Sequence, residues 1–168
     1  PYYYINNTKL VPTQNIVQNE ISSYIKSNLD FCLSIDYFRN QGFVINTKNY
    51  TVFTNINDKS VLVTLSYPIT IKKGQIEASL TKFNTNINSN LKDIILTSNK
   101  LVNNYAEKPG YICLTCLDAL TQNKTISVET IPVIDPSVFK NNIIWYIVKD
   151  NQYLIKNNNL KFIFIVES

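Results

Sequence analysis

The sequence predicts an α+β fold in which an antiparallel β-meander and a C-terminal β-hairpin pack with two or three amphipathic helices. Three observations lead to this fold class. Apolar residues recur at helical spacing in residues 12–42 and 91–122, they alternate with polar residues in 43–90, and strand-like segments resume after residue 123. Helical and strand-like segments are grouped along the chain rather than alternating, which favours α+β over α/β.

The first 42 residues are expected to form a hairpin and one helix. The Asn6-Asn7 pair lies between two short strand-like runs and suits a tight turn with positive φ. Pro12 is typical of the first turn of a helix, which is expected to carry Cys32 on its apolar face and to end at Gly42. The same face is formed by residues at steps of four: Val17, Ile21, Ile25 and Leu29.

Residues 43–90 are expected to form the meander. The alternation of apolar and polar residues is clearest from Val61 to Tyr67, and Gly74 indicates a turn. Two weaker strands are expected after that turn, over residues 75–80 and 83–87. Because the connections are short, neighbouring strands should be antiparallel.

Residues 91–122 should hold two helices, and residues 123–168 the C-terminal strands. The second of these helices is short, over residues 112–120, and the strands at 143–149 and 160–166 should form the hairpin. The chain is thus expected to be one α+β domain over residues 1–168. The first of the two helices shows one apolar face: Leu91, Ile94, Ile95, Leu101, Val102 and Tyr105.

The composition argues against several binding classes. Apolar residues make up 45% of the chain, which is enough to build a core. The net charge is only +4 and no basic block exceeds Lys72-Lys73, so nucleic acid is not an expected partner. No apolar run approaches the roughly 20 residues that span a bilayer. Contact with a membrane is therefore expected only through an anchor that precedes this sequence.

The chain is not expected to be an enzyme or to hold a cofactor. It has no histidine, which excludes Ser-His and Cys-His dyads, and its 12 acidic residues show no paired motif. With only three glycines, it has no phosphate-binding loop. A zinc site of the three cysteines with an acid such as Asp118 has no support in the spacing, so no metal is expected.

Cys32, Cys113 and Cys116 are the candidate disulfide residues. One hypothesis is a redox pair, with Cys113 as the nucleophile and Cys116 as the resolving thiol. A second is a link from Cys32 to one of the other two across the core, which would stabilise the fold by ~4 kcal/mol in the chain-entropy model. A third is three reduced, buried thiols. At least one disulfide is favoured, which indicates an oxidising compartment.

Aromatic residues give candidate interface positions. The alternative is that these side chains pack in the core. Strand edges at residues 2–5 and 160–166 are expected to pair with protein partners, among them copies of the same chain. The interface candidates are Tyr2, Tyr3, Tyr4, Trp145 and Tyr146.

Three Asn-x-Ser/Thr motifs, at Asn6, Asn49 and Asn123, are glycosylation candidates. The chain contains 24 Asn, and this abundance makes such a number of motifs expected by chance. The motifs therefore do not themselves indicate export.

Several segments together resemble a known group of proteins. They are Pro1-Tyr2-Tyr3-Tyr4, residues 28–33, residues 41–43, residues 61–68 before Lys73-Gly74, and residues 112–117. Nearly the whole chain resembles uncharacterised ectodomains of small-genome, episymbiotic archaea. The resemblance implies an exported domain that follows one N-terminal transmembrane helix. It also implies a further cysteine upstream, as partner for the cysteine left over here, and it carries no catalytic residues.

The predicted function is a non-catalytic domain for assembly or attachment at the cell surface, as a filament subunit or a membrane-anchored ectodomain. The chain begins with Pro1 rather than Met, which is expected of the exported remainder of a longer protein. Two alternatives remain open. One is a thiol–disulfide oxidoreductase that uses Cys113 and Cys116, and the other is a surface adhesin or glycan-binding module.

Overall fold

The computed structural model describes residues 1–29, 32–33, 35–122, 125–133 and 143–168. These residues form nine strands and four helices, and the α+β fold class is confirmed. The elements are β1 (Tyr2–Ile5), β2 (Thr8–Lys9), α1 (Gln14–Leu29), α2 (Asp36–Arg39), β3 (Val44–Thr47), β4 (Thr51–Ile56), β5 (Ser60–Lys73), β6 (Ile76–Asn88), α3 (Leu91–Glu107), α4 (Leu114–Thr121), β7 (Ile126–Val133), β8 (Ile143–Ile155) and β9 (Asn158–Val166).

The chain divides into two compact units. The first unit comprises residues 1–14, 57–60 and 88–168, and the second comprises residues 15–56 and 61–87. Each unit is described by itself. That the chain is one domain stays a prediction.

The first unit is built on a five-stranded sheet in the order β2-β1-β9-β8-β7. The strands pair antiparallel except β1 and β9, which are parallel. The predicted C-terminal hairpin is therefore confirmed as β8 and β9. Both strands are longer than predicted, because they continue to a tight turn at Lys156-Asn157, where both φ angles are positive.

Helix α3 covers one face of this sheet. All six residues of its predicted apolar face are buried, as the helical spacing requires. Four of them, Ile94, Leu101, Val102 and Tyr105, share one core cluster with inward side chains of the sheet such as Tyr146, Val148 and Phe164. Helix α4 adds Leu117 and Leu120 to the edge of the same core. The first unit thus has a helix layer on one face of its sheet.

The second unit is a smaller sheet accompanied by α1. Strands β3 and β4 pair antiparallel with different parts of β5, and β6 also pairs with β5. The predicted meander is thus present, but its last two strands are one continuous strand, β6. In α1, the side-chain oxygen of Gln18 accepts a hydrogen bond from the backbone N–H of Ile56 at 3.1 Å, which fixes the helix to β4.

The predicted long helix ends early. Helix α1 stops at Leu29, so Cys32 lies outside it and is exposed rather than on a core face. The last turn shows a physical reason, because the side chains of Ser27 and Asn28 both donate to the carbonyl of Tyr24. Such local bonds compete with the continuation of a helix. Gly42 has φ of +83° and follows the separate short helix α2.

Candidate functional site

Three of the five predicted interface residues lie in the core. Tyr3, Tyr4 and Tyr146 are buried, so the interface prediction is wrong for them. The pairing of β1 with β9 shifts register between Tyr2 and Tyr4, which places two consecutive tyrosines among core residues. The ring of Tyr3 stacks on the ring of Phe164, with 4.6 Å between the ring centroids. Burial raises the pKa of Tyr146 to about 12.

The other two candidates lie together on the opposite face of the sheet. Strand pairing aligns Tyr2 with Ile165, Ile165 with Trp145, and Trp145 with Ile131. Directly paired residues project to the same side, and the neighbours of Trp145 and Ile165 along each strand belong to the core. These four side chains therefore form one apolar row across β1, β9, β8 and β7, on the side away from the core.

A second row continues this surface. Ile163 pairs with Ile147, which pairs with Glu129. Of the apolar side chains in the two rows, Tyr2 is 41% exposed, Ile131 51%, Trp145 40% and Ile163 39%, and the rest are half-buried. We call this surface the outward face and define it by six residues: Tyr2, Ile131, Trp145, Ile147, Ile163 and Ile165.

Charged residues border the outward face at one end. The next row pairs Lys161 with Lys149, and Lys149 also forms an ion pair with Glu129 of β7. The first row is thus apolar across four strands, and charged residues begin with Glu129 at the β7 end of the second row. An apolar centre with a polar rim is the arrangement of protein interfaces. A contiguous apolar patch of this kind is uncommon on a monomer unless it binds something.

Strand β8 shows why this face is unusual. Its six residues Ile143 to Val148 are all apolar, on both sides of the strand. Strands that are covered on both faces have such continuous runs, whereas strands with one solvated face alternate. In the described part of the chain the core covers the inward side only. The run at residues 162–166 of β9 shows the same pattern.

The two predicted edge strands each have neighbours on both sides, but these neighbours cover only part of their length. Strand β1 lies between β2 and β9, and β9 lies between β1 and β8. Among the described residues, β1 pairs with β9 only at Ile165 and Val166, and β2 pairs with β1 only at Tyr4 and Ile5. Partner pairing at residues 2–5 and 160–166 therefore stays a prediction. Among the described strands, β6 pairs with β5 alone. All 13 of its residues are exposed, and Lys82 at its centre is typical of an edge protected from further pairing.

The cysteines pair differently from the cross-core hypothesis. Cys113 and Cys116 form a disulfide, and Cys32 is free and exposed. The predicted link between Cys32 and either of the other two is wrong, because Cys113 and Cys116 are bonded to each other. Cys113 and Cys116 are partly exposed at the start of α4, so they are not fully buried core residues either.

The second unit contains an apolar cavity of about 310 Å³. It lies between α1 and the sheet. Its apolar walls are Ile25, Leu29, Val52, Val63, Leu65, Phe83 and Ile87. Asn84 and Thr85 also line it, and no charged side chain does so within the described residues.

Two of the three glycosylation candidates are exposed. Asn6 lies in the turn between β1 and β2, and Asn49 precedes β4. Asn123 lies outside the described residues. Glycosylation at these positions stays a prediction.

Two further features concern only the part of the chain that the structure describes. No cluster of three or more His, Cys, Asp or Glu side chains there is placed to hold a metal ion. None of the helices in that part has the length and apolarity needed to cross a bilayer.

Comparison with known proteins gives no relative. No family model, curated protein or solved structure matches the chain. Its resemblance to archaeal ectodomains stays a prediction.

Proposed function

We propose that this chain is an assembly or attachment module that binds protein through its outward face, and that its first partner is another copy of itself. The observation that carries the proposal is the apolar row from Tyr2 through Ile165 and Trp145 to Ile131. These residues come from four strands of one sheet, so the row is a fixed surface rather than a mobile loop.

Energetics support binding at this face. Burial of a large apolar side chain stabilises by about 1.5–3 kcal/mol, and four such side chains are substantially exposed here. Trp and Tyr are also enriched among the residues that dominate interface energies. Tyr2 is at one end of the row, and Trp145, the single tryptophan of the chain, lies within it.

A second copy suits the shape and charge of the face. Two sheets can pack face to face at about 10 Å with their side chains interdigitated. In a two-fold dimer the same patch serves both partners. Glu129 lies at the β7 end of the second row and Lys149 lies in the next row, so this packing leaves their ion pair at the rim.

A protein surface fits the outward face better than a glycan does. Sugar recognition combines aromatic stacking with polar groups that fix the orientation of the ligand. Here Trp145 is surrounded across the strands by Ile165 and Ile131, which supply no hydrogen bonds. We therefore rank the adhesin alternative below assembly.

The proposed location is extracytoplasmic. The Cys113–Cys116 disulfide supports it, because disulfides persist mainly in oxidising compartments. Export and surface assembly together make this chain a structural or attachment subunit rather than a metabolic protein.

Sedimentation velocity tests the proposal. The wild-type chain is expected to associate as its concentration rises, and Ile131→Lys is expected to keep it monomeric because packing of this face would remove the lysine charge from water. Tyr24→Lys is the matched control, since Tyr24 is exposed on α1 outside the outward face. A wild-type chain that stays monomeric at every concentration would contradict self-assembly, as would equal association of the two variants.

A further inference from the structure

The disulfide at the start of α4 has the surroundings of a reactive site. Cys113 is the N-cap residue of the helix, and its Sγ accepts a hydrogen bond from the backbone N–H of Cys116 at 3.2 Å. The hydroxyl oxygen of Thr115 lies 3.5 Å from the same sulfur. Two donor groups therefore converge on one of the two sulfurs.

These groups favour a thiolate on Cys113. Backbone N–H groups at a helix N-terminus stabilise negative charge, and cysteines in Cys-x-x-Cys units at that position have enhanced thiolate character. Leu117 and Leu120 of α4 pack against the core, as does Ile112 just before the helix, and these contacts hold the helix in place. The disulfide thus lies on a supported helix and is partly exposed.

We infer that Cys113–Cys116 is a thiol–disulfide exchange site that accepts electrons from a protein or peptide dithiol. A thiolate of that dithiol attacks Sγ of Cys113, the bond between Cys113 and Cys116 breaks, and its electron pair goes to Sγ of Cys116, which takes a proton. The second thiolate of the partner then attacks the partner's own sulfur in the mixed disulfide. Cys113 leaves as a thiolate, the partner is oxidised to a disulfide, and two electrons remain on the reduced cysteines.

The donors around Cys113 favour the second step most, because Cys113 is the leaving group in that step. A stabilised thiolate is a better leaving group, so the donors from Cys116 and Thr115 favour release of the oxidised partner. The same stabilisation favours the reduced form of the pair, which makes its disulfide an oxidant rather than an inert crosslink.

The side chains beside the disulfide indicate the kind of partner. Leu114, directly after Cys113, and Tyr111 are both exposed. The Nζ atom of Lys108 lies over the Tyr111 ring at 5.9 Å from its centroid. An apolar and cationic border of this kind suits a cysteine that is flanked by apolar residues in an extended peptide. This site shares no residue with the outward face. The proposal of thiol–disulfide exchange and the proposal of assembly through the outward face can therefore be contradicted separately.

Trapping with glutathione tests the inference. All proteins carry Cys32→Ser, which removes the free exposed thiol. In oxidised glutathione, Cys116→Ser is expected to form a mixed disulfide at Cys113 roughly 10-fold faster than Cys113→Ser forms one at Cys116. Adding Thr115→Val to the Cys116→Ser protein is expected to slow trapping roughly 2–10-fold, because one donor is lost. Equal trapping rates at the two cysteines would overturn the assignment of Cys113.

A second measurement does not depend on the folding of these variants. With both cysteines of the pair intact, the disulfide is expected to open in reduced glutathione, as followed by mass after acid quenching and alkylation. A disulfide that persists in excess reduced glutathione would be structural, and this result would overturn the proposal.

Discussion

The buried carboxylate of Asp150 in β8 holds the N-cap of α3, Asn90, through two hydrogen bonds. The backbone N–H of Asn90 donates to one carboxylate oxygen at 2.9 Å, and its side-chain amide donates to the other at 2.9 Å. Both residues are fully buried. The backbone N–H groups of Gln152 and Tyr153 complete the set of donors to Asp150. This network fixes the helix layer to the sheet that carries the outward face.

Loss of the Asp150 carboxylate is therefore expected to destabilise the first unit. In Asp150→Asn the new amide group faces N–H donors, and several buried donors lose their acceptor. We expect the free energy of unfolding to fall by about 2–4 kcal/mol, measured by urea titration of Trp145 fluorescence. Asp36→Asn is the control, because Asp36 is exposed. This variant should change the free energy of unfolding by less than about 0.5 kcal/mol. Equal stability of the two variants would contradict the structural role of Asp150.

Asp150 also gives the fold a pH dependence. Burial pushes the pKa of this carboxyl up, but hydrogen bonds from Asn90, Tyr153 and Gln152 outweigh burial and lower the pKa below its usual range. In the unfolded chain the pKa of this carboxyl is about 3.9, so as pH falls the unfolded state takes up the proton before the folded state does. The stabilisation is complete above about pH 3.9 and is lost as pH falls through the lower pKa of the folded state. Urea midpoints of the wild type should fall more steeply in acid than those of Asp150→Asn, and parallel curves would contradict this explanation.

The turn between β8 and β9 contains a strained residue. Lys156 has φ of +49° and Asn157 has φ of +63°. The left-handed region is unfavourable for lysine and better tolerated by asparagine. Lys156→Asn is expected to raise stability by about 0.5–1 kcal/mol, seen as a higher urea midpoint with an unchanged slope. The control Lys161→Asn lies within β9 and should give no increase. A midpoint that stays the same or falls in Lys156→Asn would show that the turn is not a source of strain.

The cysteine pairing predicts a labelling pattern. Protein purified without reductant and alkylated in denaturant should carry one label, located by peptide mapping at Cys32. After reduction it should carry three, because Cys113 and Cys116 are then released from their disulfide. Three labels without reductant would contradict the disulfide. A label on Cys113 with Cys32 blocked would contradict the pairing.

Local patterns predicted the parts of the fold that local physics decides. The apolar face of α3 was correct residue by residue, because a helix of period 3.6 places Leu91, Ile94 and Tyr105 on one side whatever surrounds it. The turn at Asn6-Asn7 was also correct, since both residues adopt positive φ. The end of α1 was missed, because side-chain bonds from Ser27 and Asn28 compete with a pattern that favoured continuation.

The outward face could be predicted only in part. Tyr2 and Trp145 were identified from their residue types, but Ile131 and Ile165 join them through pairings between distant strands, one of which is parallel. Spacing along the chain does not encode that register. The continuous apolar run from Ile143 to Val148 was the available signal, since it indicates a strand covered on both faces.

Trp145 fluorescence as a function of protein concentration tests the central claim most directly. Trp145 is the only tryptophan, and it lies in the centre of the outward face. Assembly through this face should shift its emission to shorter wavelengths and protect it from iodide quenching as concentration rises, while Ile131→Lys keeps the monomer spectrum. An emission spectrum and a quenching constant that stay the same while the chain associates would contradict the proposal, because assembly would then use another surface.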